Sequence, residues 1–169
     1  MSNATAELDR PAGVGDLAGK YLTFRLGAEE YGLKILQVRE IIGLMAITGV
    51  PQTPDYVRGV INLRGKIFPV VDLRLKFDMA AAAETPQTCI IVVEVHRDEA
   101  TLAVGVVVDE VCEVRDVTRD QIDPTPDFGA LVKTDFILGI GKVGDEVIML
   151  LDINRVLTDE ALAALAKAA

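Results

Sequence analysis

Two aspartates at corresponding places in the sequence are the first candidates for chemistry. Asp72 follows the apolar stretch 69–71, and Asp152 follows the apolar stretch 149–151. Two carboxylates that face each other can act as a general acid and a general base. Alternatively, each aspartate caps the short segment after it by accepting hydrogen bonds from backbone amides. Capping is favoured, because no histidine, phosphate-binding glycine loop or metal-ligand cluster accompanies either carboxylate in the sequence.

The other reactive residue types lack the partners that catalysis or metal binding requires. The chain contains one histidine, His96, and two cysteines, Cys89 and Cys112. A zinc site, a Ser-His-Asp triad and a Cys-His pair each need further residues at suitable positions. Two cysteines are also too few for a disulfide framework. The sequence therefore predicts a protein that is not an enzyme, with no catalytic residue, no metal site and no cofactor.

A cationic hairpin is the most informative motif of the chain. Residues 58–73 read as two apolar strands joined by the corner Asn62-Leu63-Arg64-Gly65. Glycine at the last corner position permits the positive φ that short hairpin loops need. The corner is expected to lift the Arg64 side chain clear of the strands. Because a guanidinium stays protonated near neutral pH, it suits recognition better than proton transfer.

Composition limits the classes of function. The chain has 169 residues, 50% of them hydrophobic, and a net charge of −9, which suits one domain or two small ones that share a core. The negative charge argues against nucleic acid and anionic membrane surfaces as partners. Arg58, Arg64 and Lys66 form either one basic recognition point or a set of charges that protects an exposed strand edge. No apolar run approaches the roughly 18–20 residues of a membrane span, and no secretory signal pattern is present, so we expect a soluble cytosolic protein.

Alternating apolar and polar residues predict an all-β fold with short helices. Residues 1–19 lack periodicity and are expected to form a mobile tail. The stretch Leu36–Ile42 fits either one face of a helix or one side of a strand. Thr158 is expected to cap a final helix over residues 159–169.

The sequence also repeats itself. A shift of 80 residues places Gly59 on Gly139 and Asp72 on Asp152, and a shift of 73 residues relates a second set of positions. The second set pairs Gly32 with Gly105, Val38 with Val111, and Glu40 with Glu113. This duplication predicts two small β-barrels, one over residues 20–85 and one over 86–158, and leaves open whether they exchange strands. The position equivalent to Arg64 is Gly144, so the second copy keeps the hairpin without the cation.

A seam between two such barrels would form an aliphatic groove that suits an amphipathic helix of a partner. The candidate wall residues are Val38, Ile41, Val111 and Val114. Glu40 and Arg64 could supply the polar contacts. The alternative for each valine is an ordinary place in the core.

Five segments of the chain together resemble the CheW family, the bacterial chemotaxis coupling proteins. They are residues 21–27, 29–33, 38–41, 59–73 and 105–111. The Asn-Leu-Arg-Gly corner with its Pro-Val-Val-Asp-Leu continuation is the most specific of them. The resemblance covers residues 20–158 and implies a non-enzymatic adaptor built from two SH3-like five-stranded β-barrels.

The resemblance also implies partners and contact residues. CheW proteins bridge the cytoplasmic hairpin tips of chemoreceptors, the methyl-accepting chemotaxis proteins, and the regulatory domain of the histidine kinase CheA. A cytoplasmic chain is thus expected to join membrane-bound receptor arrays through its partners, without inserting into the membrane. The positions implied to contact receptor or kinase are Val38, Glu40, Gly59, Asn62, Leu63, Arg64, Gly65, Gly105, Val111 and Val114. Segments 44–52 and 80–83 follow no pattern of the family, and the role of residues 80–86 is left open.

Two other functions are weighed beside this one. The same adaptor could serve another chemosensory-type pathway, such as pilus motility or gene control. A small-molecule-binding or hydrolytic β-barrel that uses Asp72 and Asp152 is the alternative from a different class.

Overall fold

The described part of the chain is built almost entirely of β-strands. The structure is a computed structural model and describes residues 17–97, 100–126 and 136–157. The strands are β1 (Gly19–Leu26), β2 (Glu29–Lys34), β3 (Val38–Gly43), β4 (Val57–Leu63), β5 (Lys66–Asp72), β6 (Cys89–Arg97), β7 (Ala100–Val108), β8 (Glu110–Val117), β9 (Ile122–Asp123), β10 (Ile137–Val143) and β11 (Glu146–Leu151). Short helices follow β5 and β11, namely α1 (Leu73–Lys76) and α2 (Ile153–Val156). The prediction of an all-β fold with short helices is confirmed.

Several local predictions can be compared with these bounds. The ambiguous stretch after β2 forms a 3-10 turn at Ile35–Gln37 and then the strand β3. Residues 1–16 and the predicted helix over 159–169 lie outside the described residues. The predicted tail is too long at its inner end, because Leu17 is buried and its carbonyl oxygen accepts a hydrogen bond of 2.6 Å from the Tyr21 hydroxyl. Within the described ranges, no helix has the length and apolar character that a membrane crossing requires.

When the internal repeat is applied, the five strands of the second sheet have the same order as five strands of the first sheet, which has the additional edge strand β9. The first sheet has the order β8-β1-β2-β11-β10-β9, and the second sheet has the order β3-β6-β7-β5-β4. The parallel strand pair of the first sheet places Leu150 opposite Gly32, and that of the second sheet places Val70 opposite Gly105. Shifts of 80 and 73 residues convert one pairing into the other. The duplication predicted from the sequence is therefore confirmed by strand register.

Each sheet combines strands from both halves of the chain. The first sheet takes β1 and β2 from the N-terminal half and β8 to β11 from the C-terminal half. The second sheet takes β3, β4 and β5 from the N-terminal half and β6 and β7 from the C-terminal half. The predicted boundary near residue 85 consequently does not separate the sheets, and neither half of the chain contains a complete one.

Three apolar clusters account for the packing. The largest contains buried side chains from both sheets, including Phe24 and Leu33 from the first and Val106 from the second. A smaller cluster around Ile148 belongs to the first sheet, and another around Ile90 belongs to the second. Because successive strand residues point to opposite faces, each sheet has one face in the shared cluster and the other face in its own.

Both short helices begin at the repeated aspartates. Oδ1 of Asp72 accepts hydrogen bonds from the amides two and three residues later, at 3.0 and 3.4 Å. Oδ1 of Asp152 does the same at 3.1 and 3.4 Å. Capping is therefore confirmed as the reason why an aspartate recurs at this place.

Candidate functional site

The loop between β4 and β5 has a tightly defined geometry. Leu63 pairs with Lys66, which leaves Arg64 and Gly65 as a two-residue loop. Arg64 has a φ of 53° and Gly65 a φ of 85°, as in a type I′ turn, whose twist matches that of the strands. Oδ1 of Asn62 accepts a hydrogen bond of 3.0 Å from the Gly65 amide. The positive φ of the glycine was predicted, whereas that of the arginine was not.

The conformation of Arg64 is costly for a residue with a side chain. Holding a non-glycine residue in the left-handed region costs about 1–2 kcal/mol. The equivalent loop position is Gly144, whose φ is 62°, so the turn itself is satisfied by glycine. An arginine at this position is better explained by what its side chain contacts.

The guanidinium of Arg64 is held by a carboxylate from a neighbouring strand. Its Nη2 atom forms an ion pair with Oε1 of Glu40 on β3. The arginine side chain is 70% exposed and the glutamate side chain 30%. An ion pair this exposed contributes at most about 1 kcal/mol to stability. Its main effect is therefore to orient the arginine, which within the described residues bonds to protein only through Nη2.

Two open clefts lie beside this ion pair. One, of about 180 Å³, is lined by Arg39, Glu40, Leu63, Arg64, Lys66 and Phe68. The other, of about 220 Å³, is lined by Arg39, Lys66, Ile67, Phe68, Pro69, Thr101, Leu102 and Ala103. They share Arg39, Lys66 and Phe68 and are together called the hairpin cleft below. Cationic side chains and an apolar surface thus occur side by side, as a protein-recognition surface requires.

The structure gathers half of the predicted contact residues at this place. Glu40, Asn62, Leu63, Arg64 and Gly65 lie at the hairpin cleft or in the loop beside it. The other five predicted residues lie elsewhere and divide into two kinds.

Gly59 and Gly105 are buried within the second sheet. A Cβ atom on Gly59 would lie 1.9 Å from the carbonyl oxygen of Thr48, and one on Gly105 would lie 2.8 Å from the Ile90 side chain. Close packing therefore explains why glycine occupies both positions.

The three valines lie on β3 and β8, where Val38 and Val111 occupy corresponding places. Val38 and Val111 are half-buried against the cluster shared by the sheets. Val114 is 49% exposed, and its equivalent Ile41 is 45% exposed. Core side chains of both sheets pack between them, and the aliphatic groove stays a prediction. The apolar surface available there consists of exposed residues such as Ile41 and Val114.

A second polar network joins the two sheets. Nε and Nη2 of Arg74, in α1, donate to the two carboxylate oxygens of Asp109 at 2.8 and 2.5 Å. Asp109 also accepts the Gly27 amide at 2.8 Å, and Arg74 Nη1 donates to the Ala80 carbonyl at 3.1 Å. The hydrogen bonds from Arg74 lower the pKa of Asp109, and the bond from the Gly27 amide adds to this effect. No local pattern in the sequence pairs these residues, so they were not predicted as a unit.

The cysteines are not activated for nucleophilic chemistry. Cys89 is partly buried and Cys112 is exposed. Desolvation by burial raises the pKa of both thiols, which lowers the thiolate fraction at neutral pH. In the described part of the chain, no group of three or more His, Cys, Asp or Glu side chains is placed to hold a metal ion.

Comparison with known families agrees with this geometry. The sequence profile of the CheW-like domain matches residues 20–161. The chain belongs to the CheW-like family. A chemotaxis protein CheW of Klebsiella aerogenes is 40% identical over 157 residues, which cover 90% of this chain and 92% of the relative. A CheW of Helicobacter pylori is 36% identical and covers 82% of this chain and 81% of its own.

A solved structure supports the same assignment. The crystal structure of the scaffolding protein TtCheW from Thermoanaerobacter tengcongensis superposes with a TM-score of 0.75 at 33% sequence identity. The match covers 85% of this chain and 95% of that one. This CheW-like chain is therefore an adaptor of chemotaxis signalling, and the SH3-like barrels implied by the sequence are consistent with the shared fold.

Proposed function

We propose that this chain couples the cytoplasmic hairpin tips of chemoreceptors to the regulatory domain of the histidine kinase CheA. It acts in the cytoplasm and joins membrane-bound receptor arrays through these partners. The observation that carries the proposal is Arg64, an exposed cation kept in an unfavourable backbone conformation above an open cleft. The second copy of the hairpin has the turn without the arginine, so folding does not account for it.

The physical mechanism is the sum of weak contacts. Arg64 can donate to backbone carbonyls or a carboxylate of a partner while Glu40 keeps its guanidinium oriented. Exposed aliphatic side chains, such as Ile41 and Val114, add apolar contact area. Truncating an arginine at the centre of an interface weakens the binding free energy by about 2 kcal/mol or more. Array geometry raises the effective concentration of each partner, so individually weak contacts suffice for high occupancy.

The same geometry disfavours the hydrolytic alternative. Oδ1 of Asp72 and Oδ1 of Asp152 each accept a hydrogen bond from a backbone amide at the start of a helix. Oδ2 of Asp72 also accepts a hydrogen bond of 3.3 Å from Arg58. Oδ2 of Asp152 lies 3.6 Å from Nε of Arg155, so both carboxylates are engaged in caps and ion pairs.

A titration tests the proposal. Fluorescently labelled protein is titrated with the kinase regulatory domain and, separately, with receptor tip fragments. The wild type is expected to bind both, and Arg64→Ala is expected to bind at least one partner about 30-fold more weakly. Lys142→Ala is the matched control, because Lys142 is an ion-paired cation on the equivalent hairpin, 2.8 Å from Asp123. It should bind like the wild type.

Reconstituted arrays give the second readout. Kinase activation should be lost with Arg64→Ala and kept with Lys142→Ala. A wild-type chain that bound neither partner, or an Arg64→Ala chain that activated the kinase fully, would refute the proposal.

A further inference from the structure

The hairpin cleft is positively charged in a strongly acidic protein. Its lining holds three cations, Arg39, Arg64 and Lys66, and one carboxylate, Glu40, although the whole chain has a net charge of −9. Glu94 partly offsets Arg39, at 3.7 Å. Lys66 is exposed and forms no salt bridge with any residue that the structure describes. An anionic group placed in the cleft would therefore meet at least two cations that have unused hydrogen-bond donors.

The floor of the cleft is apolar. Phe68 and Leu63 line it, and Ile67 at its edge is 41% exposed. The two parts of the hairpin cleft, of about 180 and 220 Å³, are smaller than the roughly 300–1,000 Å³ of an enclosed ligand pocket. Since both parts are also open to solvent, each suits one or two side chains of a peptide better than a small molecule.

We propose that the hairpin cleft binds an acidic segment of a protein partner. An aliphatic side chain of that segment packs on Phe68, and carboxylates on either side of it accept hydrogen bonds from Arg39, Arg64 and Lys66. This inference rests on the proposed function and names the chemistry of the contact made at Arg64. It adds Arg39 and Lys66 to the residues predicted from the sequence.

The equivalent surface of the first sheet shows why the cleft is selective. The three cations are replaced there by Cys112, Gly144 and Glu146. The arginine of that region, Arg115, already bonds to Glu113 at 2.7 Å and to Glu146 at 3.1 Å. That end of the molecule is acidic and its cation is in use, so an acidic segment is recognised at one end only.

A synthetic peptide measures this chemistry directly. The probe is a labelled peptide with one leucine between two pairs of glutamates, and the same peptide with glutamines is the comparison. In NMR titrations of the full chain, the acidic peptide should shift the amides of residues 39–40, 63–68 and 101–103. The glutamine peptide should bind at least about tenfold more weakly, and added salt should lower the affinity of the acidic peptide. Shifts confined to other regions, or equal binding of both peptides, would overturn the inference.

Charge reversal at Lys66 links the peptide to the physiological partners. Lys66→Glu should lower the affinity for the acidic peptide by about tenfold or more. It should lower the affinity for at least one of the two partners, the receptor tip or the kinase domain, by a similar factor. Lys142→Glu makes the same charge change on the equivalent hairpin and should leave both affinities unchanged. Far-UV circular dichroism and thermal melts confirm that both variants are folded.

The outcomes separate this inference from the proposed function. If Arg64→Ala loses the partners while Lys66→Glu binds them like the wild type, the adaptor function stands and the acidic segment is wrong. If the wild type binds neither partner, the proposed function itself fails. If Lys66→Glu instead abolishes self-association of the chain, seen by analytical ultracentrifugation, the occupant is a second copy and the inference is overturned.

Discussion

The two hairpins of the molecule are built alike and carry different side chains. In β4–β5 the pairing register shifts between Val57 and Gly59, and in β10–β11 it shifts between Ile137 and Gly139. Each hairpin then closes with a two-residue loop and continues into a capped helix. The copies therefore share strand pairing and loop length. Their loop backbones differ, because Arg64 and Gly65 both have a positive φ, whereas in the second loop only Gly144 does.

The clearest difference concerns two equivalent glutamates. Glu40 holds an arginine raised on the hairpin loop, whereas Glu113 holds Arg115, two residues away on its own strand. In the first sheet the cation, Arg115, is thus ion-paired on its own strand. In the second sheet the cation, Arg64, is presented to solvent, where the proposed partner contact requires it.

The largest effect is expected where the hairpins pack against their neighbours. Gly59→Ala should lower the free energy of unfolding by about 3 kcal/mol or more, because a methyl group would lie 1.9 Å from the Thr48 carbonyl oxygen and the φ of 138° suits only glycine. Gly139→Ala should cost about 1 kcal/mol, since its nearest contacts would be 3.1 Å away. Urea denaturation measures both values.

Equal costs at the two positions would show that the tighter contact at Gly59, 1.9 Å against 3.1 Å at Gly139, does not distinguish the copies. A binding defect in Gly59→Ala without loss of stability would instead support the contact role predicted from the sequence.

An intermediate effect is expected at the polar contacts beside the short helices. The bonds from Arg74 give Asp109 a folded-state pKa below its ordinary value of 3.8, so the ionised pair stabilises the fold fully above about pH 4. This contribution is lost as the pH falls through the lowered pKa. Asp109→Asn should lower the free energy of unfolding by about 1–2 kcal/mol at pH 7. In strongly acidic solution the variant and the wild type should have the same free energy of unfolding.

The second copy provides the matched control. There the amide of His96 donates to Oδ1 of Asn154 at 2.8 Å, and no carboxylate is involved. Asn154→Ala should cost about 1 kcal/mol, with no dependence on pH between 3 and 7. A cost of Asp109→Asn that stays constant over that range would contradict the role assigned to the ion pair.

The smallest effect on stability is expected at the loops themselves. Arg64→Gly should raise the free energy of unfolding by about 0.5–1 kcal/mol, because glycine adopts a positive φ without strain. Gly144→Arg should lower it by a similar amount. The same Arg64→Gly chain should lose partner binding in the titration, so that stability and binding change in opposite directions. Destabilisation by Arg64→Gly would mean that the ion pair with Glu40 is structural.

Features set by neighbouring residues could be predicted from the sequence. The hairpin around Arg64, the caps at Asp72 and Asp152 and the alternating strands all depend on turn chemistry and side-chain periodicity. The repeat was visible because the same local patterns recur at a constant spacing. The family resemblance then indicated which hairpin would carry the proposed site.

Features set by distant pairing could not be predicted in this way. Three such features depend on which strands become neighbours. They are the apolar packing between the sheets, the ion pair of Arg74 with Asp109, and the position of Arg39 and Lys66 in the hairpin cleft. Gly59 shows the ambiguity most clearly, since a glycine in a binding motif and a glycine under a carbonyl oxygen look the same in the sequence.

The exchange of strands between the halves has a consequence for how such a chain arises. A single repeat on its own could complete its sheets only against a second identical repeat, as an intertwined dimer. Joining two repeats in one polypeptide makes that partnership permanent and independent of concentration. Once joined, the copies are free to diverge, so one can gain an arginine that would be redundant, or costly, on both.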